Sequence, residues 1–212
     1  MRKGKGLRAL FRDQSAVALI EFAYSLPVFL LIALTGAELT NYATVKMRVS
    51  QVALHVADHA ARMGNGSLLA AKTISETQIN DVLTGAGLQA GNLDLYPNGR
   101  VILTNLEPVA NPNTTNRYRI TWQRCRGSST RPSSYGVTGN TNMTGIGPAG
   151  RQVTAADGGA TMFVEVHYRY QPILSASLAP SLDISEIASM MVRDRRDLSQ
   201  IYNSEAAPVS NC

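Results

Sequence analysis

Between Ala16 and Ala37 the chain reads AVALIEFAYSLPVFLLIALTGA, with Glu21 as its one charged residue. A hydrocarbon layer ~30 Å thick takes ~20 helical residues to cross, so this run has the length of a single membrane span. Arg2, Lys3, Lys5, Arg8 and Arg12 precede it against a single acid, Asp13, and Glu38 follows it. By the positive-inside rule the N-terminus stays in the cytoplasm and everything beyond about residue 38 is exported. The apolar pattern then narrows without stopping. Tyr42, Val45, Val49, Val52, Val56 and Ala60 recur at helical spacing as far as Gly64-Asn65-Gly66, a stop signal. The spacing predicts one helix over 16–63 behind a basic leader, 1–15. Its first half belongs in lipid, its second half beneath an exported domain. Pro27 removes one internal hydrogen bond and should bend the helix. A cleaved signal peptide ending at Thr35-Gly36-Ala37 is the rival reading. It is opposed by the acid in the run's first third and by the continuing stripe.

The same charge placement excludes other classes. The chain is +5 overall, but nearly all of that sits in the first thirteen residues. Arg193, Arg195 and Arg196 are balanced by Asp194 and Asp197. A nucleic-acid binder would need a basic stripe over its folded part, so no nucleic-acid partner is expected.

Glu21 is the unusual residue. A carboxylate within a membrane costs about 2.5–3.5 kcal/mol unless it is protonated, partnered or able to reach the headgroups. It lies near enough to the cytoplasmic end to snorkel. Alternatively, cutting the chain before Val17 would create an α-amino group one helical turn away, on this chain or a neighbour, to neutralise it.

The stretch FRDQSAVALIEFAYSLPVFLLIAL resembles the N-terminus of TadE-like pseudopilins of the tight-adherence (Tad, or Flp) pilus machinery. The resemblance rests on the basic leader, the small Ala16, four apolar residues from Val17 to Ile20, Glu21-Phe22, and Leu26-Pro27. It covers about 45 residues, with looser likeness in FVEVHYRYQPI, around Cys125 in TWQRCRG, and in the late segment ending MMVRD. It implies a pilin-like fold and processing between Ala16 and Val17 by a prepilin peptidase. It also implies a role in pilus assembly with sibling pseudopilins and platform proteins at the cytoplasmic membrane. The family usually carries Gly where this chain has Ala16. An exported domain this large fits a pseudopilin better than a major pilin.

The exported domain, 67–212, reads as α+β, an antiparallel sheet of four or five strands with the long helix 16–63 packed beneath it. Ile74 to Leu83 reads as a helix closed by Gly85 and Gly87. Leu93–Tyr96 and Val101–Leu106 read as strands joined by a Pro97-Asn98-Gly99 hairpin. Arg117–Arg124 and Met162–Tyr170 alternate apolar and polar, which predicts a sheet with one wet face. Ile187–Val192 reads as the last strand. A polar loop over 127–160, rich in Gly, Ser, Thr and Asn, is either a functional surface or decoration.

Other motifs carry little chemistry. Gly145-Ile146-Gly147-Pro148-Ala149-Gly150 matches G-x-G-x-x-G, but nothing in the pattern places it between a strand and a helix, as phosphate binding requires. His55 and His59 stand one turn apart, and only His167 could add a third ligand for zinc. Cys125 and Cys212 either form one disulfide, as an even count in an exported domain suggests, or stay thiols. With no catalytic set in the sequence, neither enzyme activity, nor a cofactor, nor a small-molecule substrate is expected. A single-pass tether for a binding domain remains the alternative to the pseudopilin.

Overall fold

The computed structural model of this 212-residue chain describes residues 14–67 and 70–212. The basic leader up to Asp13 therefore lies outside the described residues. Contacts divide the chain into two units. One runs to Ala43 and includes Pro172–Pro180; the other comprises Thr44–Gln171 and Ser181–Cys212. Helix α1, Gln14–Arg62, contributes to both. It continues through Pro27 and stops where expected, just before Gly64 at φ +127°.

The larger unit holds the sheet. Four antiparallel strands, β1 (Gly99–Pro108), β2 (Tyr118–Arg126), β3 (Thr161–Arg169) and β4 (Asp183–Met191), lie in the order β2-β1-β3-β4. The class is α+β, as the alternation predicts. Because side chains alternate across a pleated sheet, the register assigns each residue to a face. Val101, Leu103 and Asn105 share a face with Val166, Val164 and Met162 on β3, whereas Ile102, Thr104 and Leu106 share the other with Glu165, Phe163 and Thr161. A bulge after Asn105 leaves Thr121 without an opposite residue, and its hydroxyl donates to Glu107.

The first face carries the helices. On the second half of α1, Val49, Val52, Val56 and Ala60 are buried, as their spacing predicts, and Ala53, Ala57 and Ala61 widen the stripe. Lys46 of this helix reaches Glu186 of β4 at 3.9 Å. Helix α2, Glu76–Ala90, starts on a capping box in which Ser75 and Gln78 satisfy each other's backbone N–H. It is tied to β2 by the Glu76–Arg124 ion pair and by Arg126, which donates to the Thr84 hydroxyl at 2.6 Å.

Three expectations are corrected here. First, α2 does not close at Gly85 and Gly87 but runs on to Ala90. Gly87 makes room for a neighbour: a Cβ there would meet the Tyr96 ring at 2.6 Å. Second, Pro97-Asn98-Gly99 is no hairpin and Leu93–Tyr96 is no strand. Gly91–Leu93 and Leu95–Asn98 are short helical turns (the latter α3) that bury Leu93 and Leu95, and β1 begins at Gly99. Gly99 itself passes so close to β3 that a Cβ would lie 2.3 Å from the His167 carbonyl.

Third, the second sheet face is wet only along β4, where Ser185, Ile187 and Met191 are exposed, and not along β2 and β3. β2 lies at one edge and β3 on the far side of β1, so the connection between them has to cross the sheet. The 127–160 segment makes that crossing and covers the second face over β1, β2 and β3. Its Ile146 and Ala155 are buried with Leu106, Tyr118, Ile120 and Phe163, with Tyr135, Met143 and Val153 packed around them. The Tyr135 ring meets Phe163 edge-on at 5.4 Å. Polar residues expected to face water are buried and bonded instead. Gln123 donates to the Thr104 hydroxyl and the Gly136 carbonyl, each at 2.8 Å. Glu165 accepts from the Ser133 hydroxyl and from the Ser134 N–H. These bonds offset the cost of burying polar groups.

Tyr96 gives the α2–α3 contact a pH signature. Its hydroxyl donates to the Leu83 carbonyl, and Arg126 lies 5.8 Å from its ring. Burial pushes its pKa up to about 12 despite the attraction of Arg126 for the phenolate. Unfolded tyrosine titrates near 10. The contribution is therefore complete below pH ~10 and is lost as the pH rises from about 10 to about 12. Tyr96→Phe should shrink the alkaline fall in stability by about 1 kcal/mol after solvent screening. Denaturant melts of both proteins at pH 8 and pH 11 check this, and equal falls would refute it.

Candidate functional site: the uncovered half of the first helix

From Val17 to Ala37, α1 presents apolar side chains that the chain itself does not cover. An 18-residue apolar window of this helix has none of its residues buried, and it is long and apolar enough to cross a membrane. Val17, Phe22, Phe29 and Leu31 are all exposed. In water so long an apolar helix is unfavourable, at roughly 25 cal/mol per Å² of exposed apolar surface, so lipid or protein is needed to cover it.

Glu21 lies on this surface, exposed, and among the described residues no cation pairs with it. Ala16 and Val17 fall in the first turn of α1, and Phe22 follows Glu21 on the exposed surface. Ser25 donates its hydroxyl to the Phe22 carbonyl at 3.2 Å, just before Pro27.

Glu38, at the C-terminal end of the apolar run, is fully buried. Its carboxylate accepts from the backbone N–H of Leu174 at 2.8 Å and of Ile173 at 3.4 Å. Both donors belong to Pro172–Pro180, in the same unit as the first part of α1. In the sequence Glu38 marks only the boundary of the apolar run. The available signal was the long stretch between Arg169 and Asp183, which carries no charged residue and so suggests an apolar neighbourhood.

The remaining candidates separate in space. His55 and His59 are exposed, with ring centroids 6.3 Å apart. His167 is buried on β3, its Nδ1 2.8 Å from the Ser185 hydroxyl. Among the described residues no group of three or more His, Cys, Asp or Glu is placed to hold a metal ion. The G-x-G-x-x-G match is a tight hairpin: Ile146 and Val153 bridge, Arg151 donates to the Pro148 carbonyl, and no helix follows. It lacks the helix N-terminus that phosphate binding uses. Cys125 and Cys212 form a disulfide.

Fold and site together define an α+β domain borne on a helix whose apolar surface the chain leaves uncovered. No family model, curated protein or solved structure matches this chain.

Proposed function

We propose that this chain is a membrane-anchored assembly protein, a TadE-like pseudopilin of a tight-adherence pilus system. Its helix spans the cytoplasmic membrane, its N-terminus is cytoplasmic, and its sheet domain is exported. A prepilin peptidase cuts between Ala16 and Val17 without releasing the helix. The observation that carries the reading is the uncovered apolar surface from Val17 to Ala37 with an acid at Glu21. Lipid can cover the apolar part, but a carboxylate in lipid needs a cation. The amine exposed at Val17, on this chain or the next, lies one helical turn away and supplies it. Such a pair favours side-by-side packing of helices over isolated insertion. Sibling pseudopilins and platform proteins are then the partners, and no enzymatic step is assigned to the chain.

Intact mass of the native protein tests processing. A start at Val17 is expected; a start at Met1 would leave a plain anchor, and a start at Glu38 a secreted protein. Glu21→Gln should still insert but reduce assembled pili about tenfold, the equivalent of one ~1.4 kcal/mol contact. Unchanged piliation by electron microscopy would reduce Glu21 to a carboxylate that reaches the headgroups.

A further inference from the structure

Resting on the membrane reading of α1, we propose that Pro172–Pro180 forms a second membrane contact, with Ile173 and Leu174 inserted at the outer boundary of the bilayer. Three observations converge. Ile173 is 67% exposed and Leu174 46%, adjacent apolar side chains that the chain leaves partly uncovered. No Asp, Glu, Lys or Arg occurs between Arg169 and Asp183, so nothing charged on this loop resists entry. The loop is bonded to α1 at Glu38, the first charged residue after the uncharged run that begins at Phe22. That run is about 24 Å long at ~1.5 Å per residue, close to the hydrocarbon thickness. The two exposed side chains therefore sit at the level where the apolar surface of α1 ends.

The Glu38 clamp supplies the chemistry such a site needs. Backbone N–H groups are costly near hydrocarbon unless they are bonded. Glu38 accepts from the N–H of the two residues whose side chains enter the bilayer. Ser175 then accepts from the Ser177 N–H at 3.3 Å and starts the 3-10 turn Ala176–Leu178, which keeps the loop compact. The occupant is the lipid interface, because the loop continues an apolar surface that is itself of membrane-spanning length.

Both native cysteines are bonded to each other. A single introduced cysteine can therefore carry an environment-sensitive fluorophore on the full chain in phosphatidylcholine–phosphatidylglycerol vesicles. The sites are Ile173→Cys and Leu174→Cys, with Phe29→Cys in the apolar run and Val137→Cys, exposed in the sheet domain, as references. At 173 and 174, iodide quenching is expected to be roughly threefold weaker than at 137, with strong quenching by a shallow lipid-attached nitroxide. If 29 is in lipid while 173 and 174 quench like 137, the loop proposal is overturned and the span survives. Protection of 173 and 174 from both quenchers would place protein there and also overturn it. If 29 is open to iodide, the span fails and the loop contact with it.

Discussion

Replacing Cys125 and Cys212 by serine together should lower the melting temperature of the detergent-solubilised chain by roughly 10–15 °C. The bond joins residues 87 apart in sequence. In the loop-entropy account, closing so long a loop removes about 4–5 kcal/mol worth of freedom from the unfolded chain. It also fixes the last residue of the chain to β2, where Cys125 donates its N–H to the Ser210 carbonyl at 2.8 Å. Upstream, the Asn80 side chain donates to the Pro208 carbonyl at 2.7 Å and accepts from the Ser210 hydroxyl. Arg100 donates to the Cys212 carbonyl at 3.2 Å. These contacts alone cannot hold the tail as firmly, because each is a single bond worth about 1 kcal/mol net. Calorimetry of the double variant decides it. A melting temperature within about 2 °C of the parent would mean that the non-covalent contacts suffice and that the loop-closure argument does not apply here.

The second large effect is at Arg196. Its guanidinium is buried and donates from Nη2 to the carbonyls of Met63 at 2.7 Å, Ala60 at 3.1 Å and Ala61 at 3.2 Å, at the C-terminal end of α1. Helix ends leave carbonyls without intrahelical donors, and the helix dipole makes that end attractive to a cation. Nη1 rests 3.8 Å from the Met162 sulfur on β3, so one side chain joins the helix end to the sheet. Burial lowers its pKa to about 10, against the pull of Asp194, yet it stays charged at neutral pH. Asp194 itself is held below the usual carboxylate range chiefly by its hydrogen bond and charge attraction with Lys72, 2.6 Å away. Arg196→Met should cost about 3–4 kcal/mol, because it strands three inward-facing carbonyls. Arg196→Lys should cost roughly half as much, since an ammonium keeps the charge but loses the planar fork. Urea melts of the three proteins give these differences. A methionine variant within ~1 kcal/mol of the parent would show that water or neighbouring groups replace the guanidinium.

Some of this was readable from local pattern. The 3.6-residue stripe on α1 identified Val49, Val52, Val56 and Ala60 as buried, because a helix turns only one face inward and spacing records which. Alternation located β2 and β3 almost to the residue for the same reason. Elsewhere in the chain a long-range partner overrides the local signal. Gly87 looked like a helix stop because glycine is a poor helix former, yet its missing side chain is filled by the Tyr96 ring. The 127–160 segment reads as an exposed polar loop, functional or decorative, because it is mostly Gly, Ser, Thr and Asn. A handful of larger side chains placed by the β2–β3 crossover is enough to cover three strands of a sheet face. Arg196 looked balanced by its neighbours, but its direction depends on where α1 ends in space.

By itself, the sequence determined the long helix, its uncovered apolar half, the acid at Glu21 and the α+β class. Periodicity and run length are properties of neighbouring residues, and they fix what a segment can bury or expose. The tertiary structure alone decided the strand order, the covering of β1, β2 and β3 on the second sheet face, the inward turn of Arg196 and the docking of Pro172–Pro180 on Glu38. Each of these pairs groups far apart along the chain, and their match is decided by geometry after the chain has closed on itself.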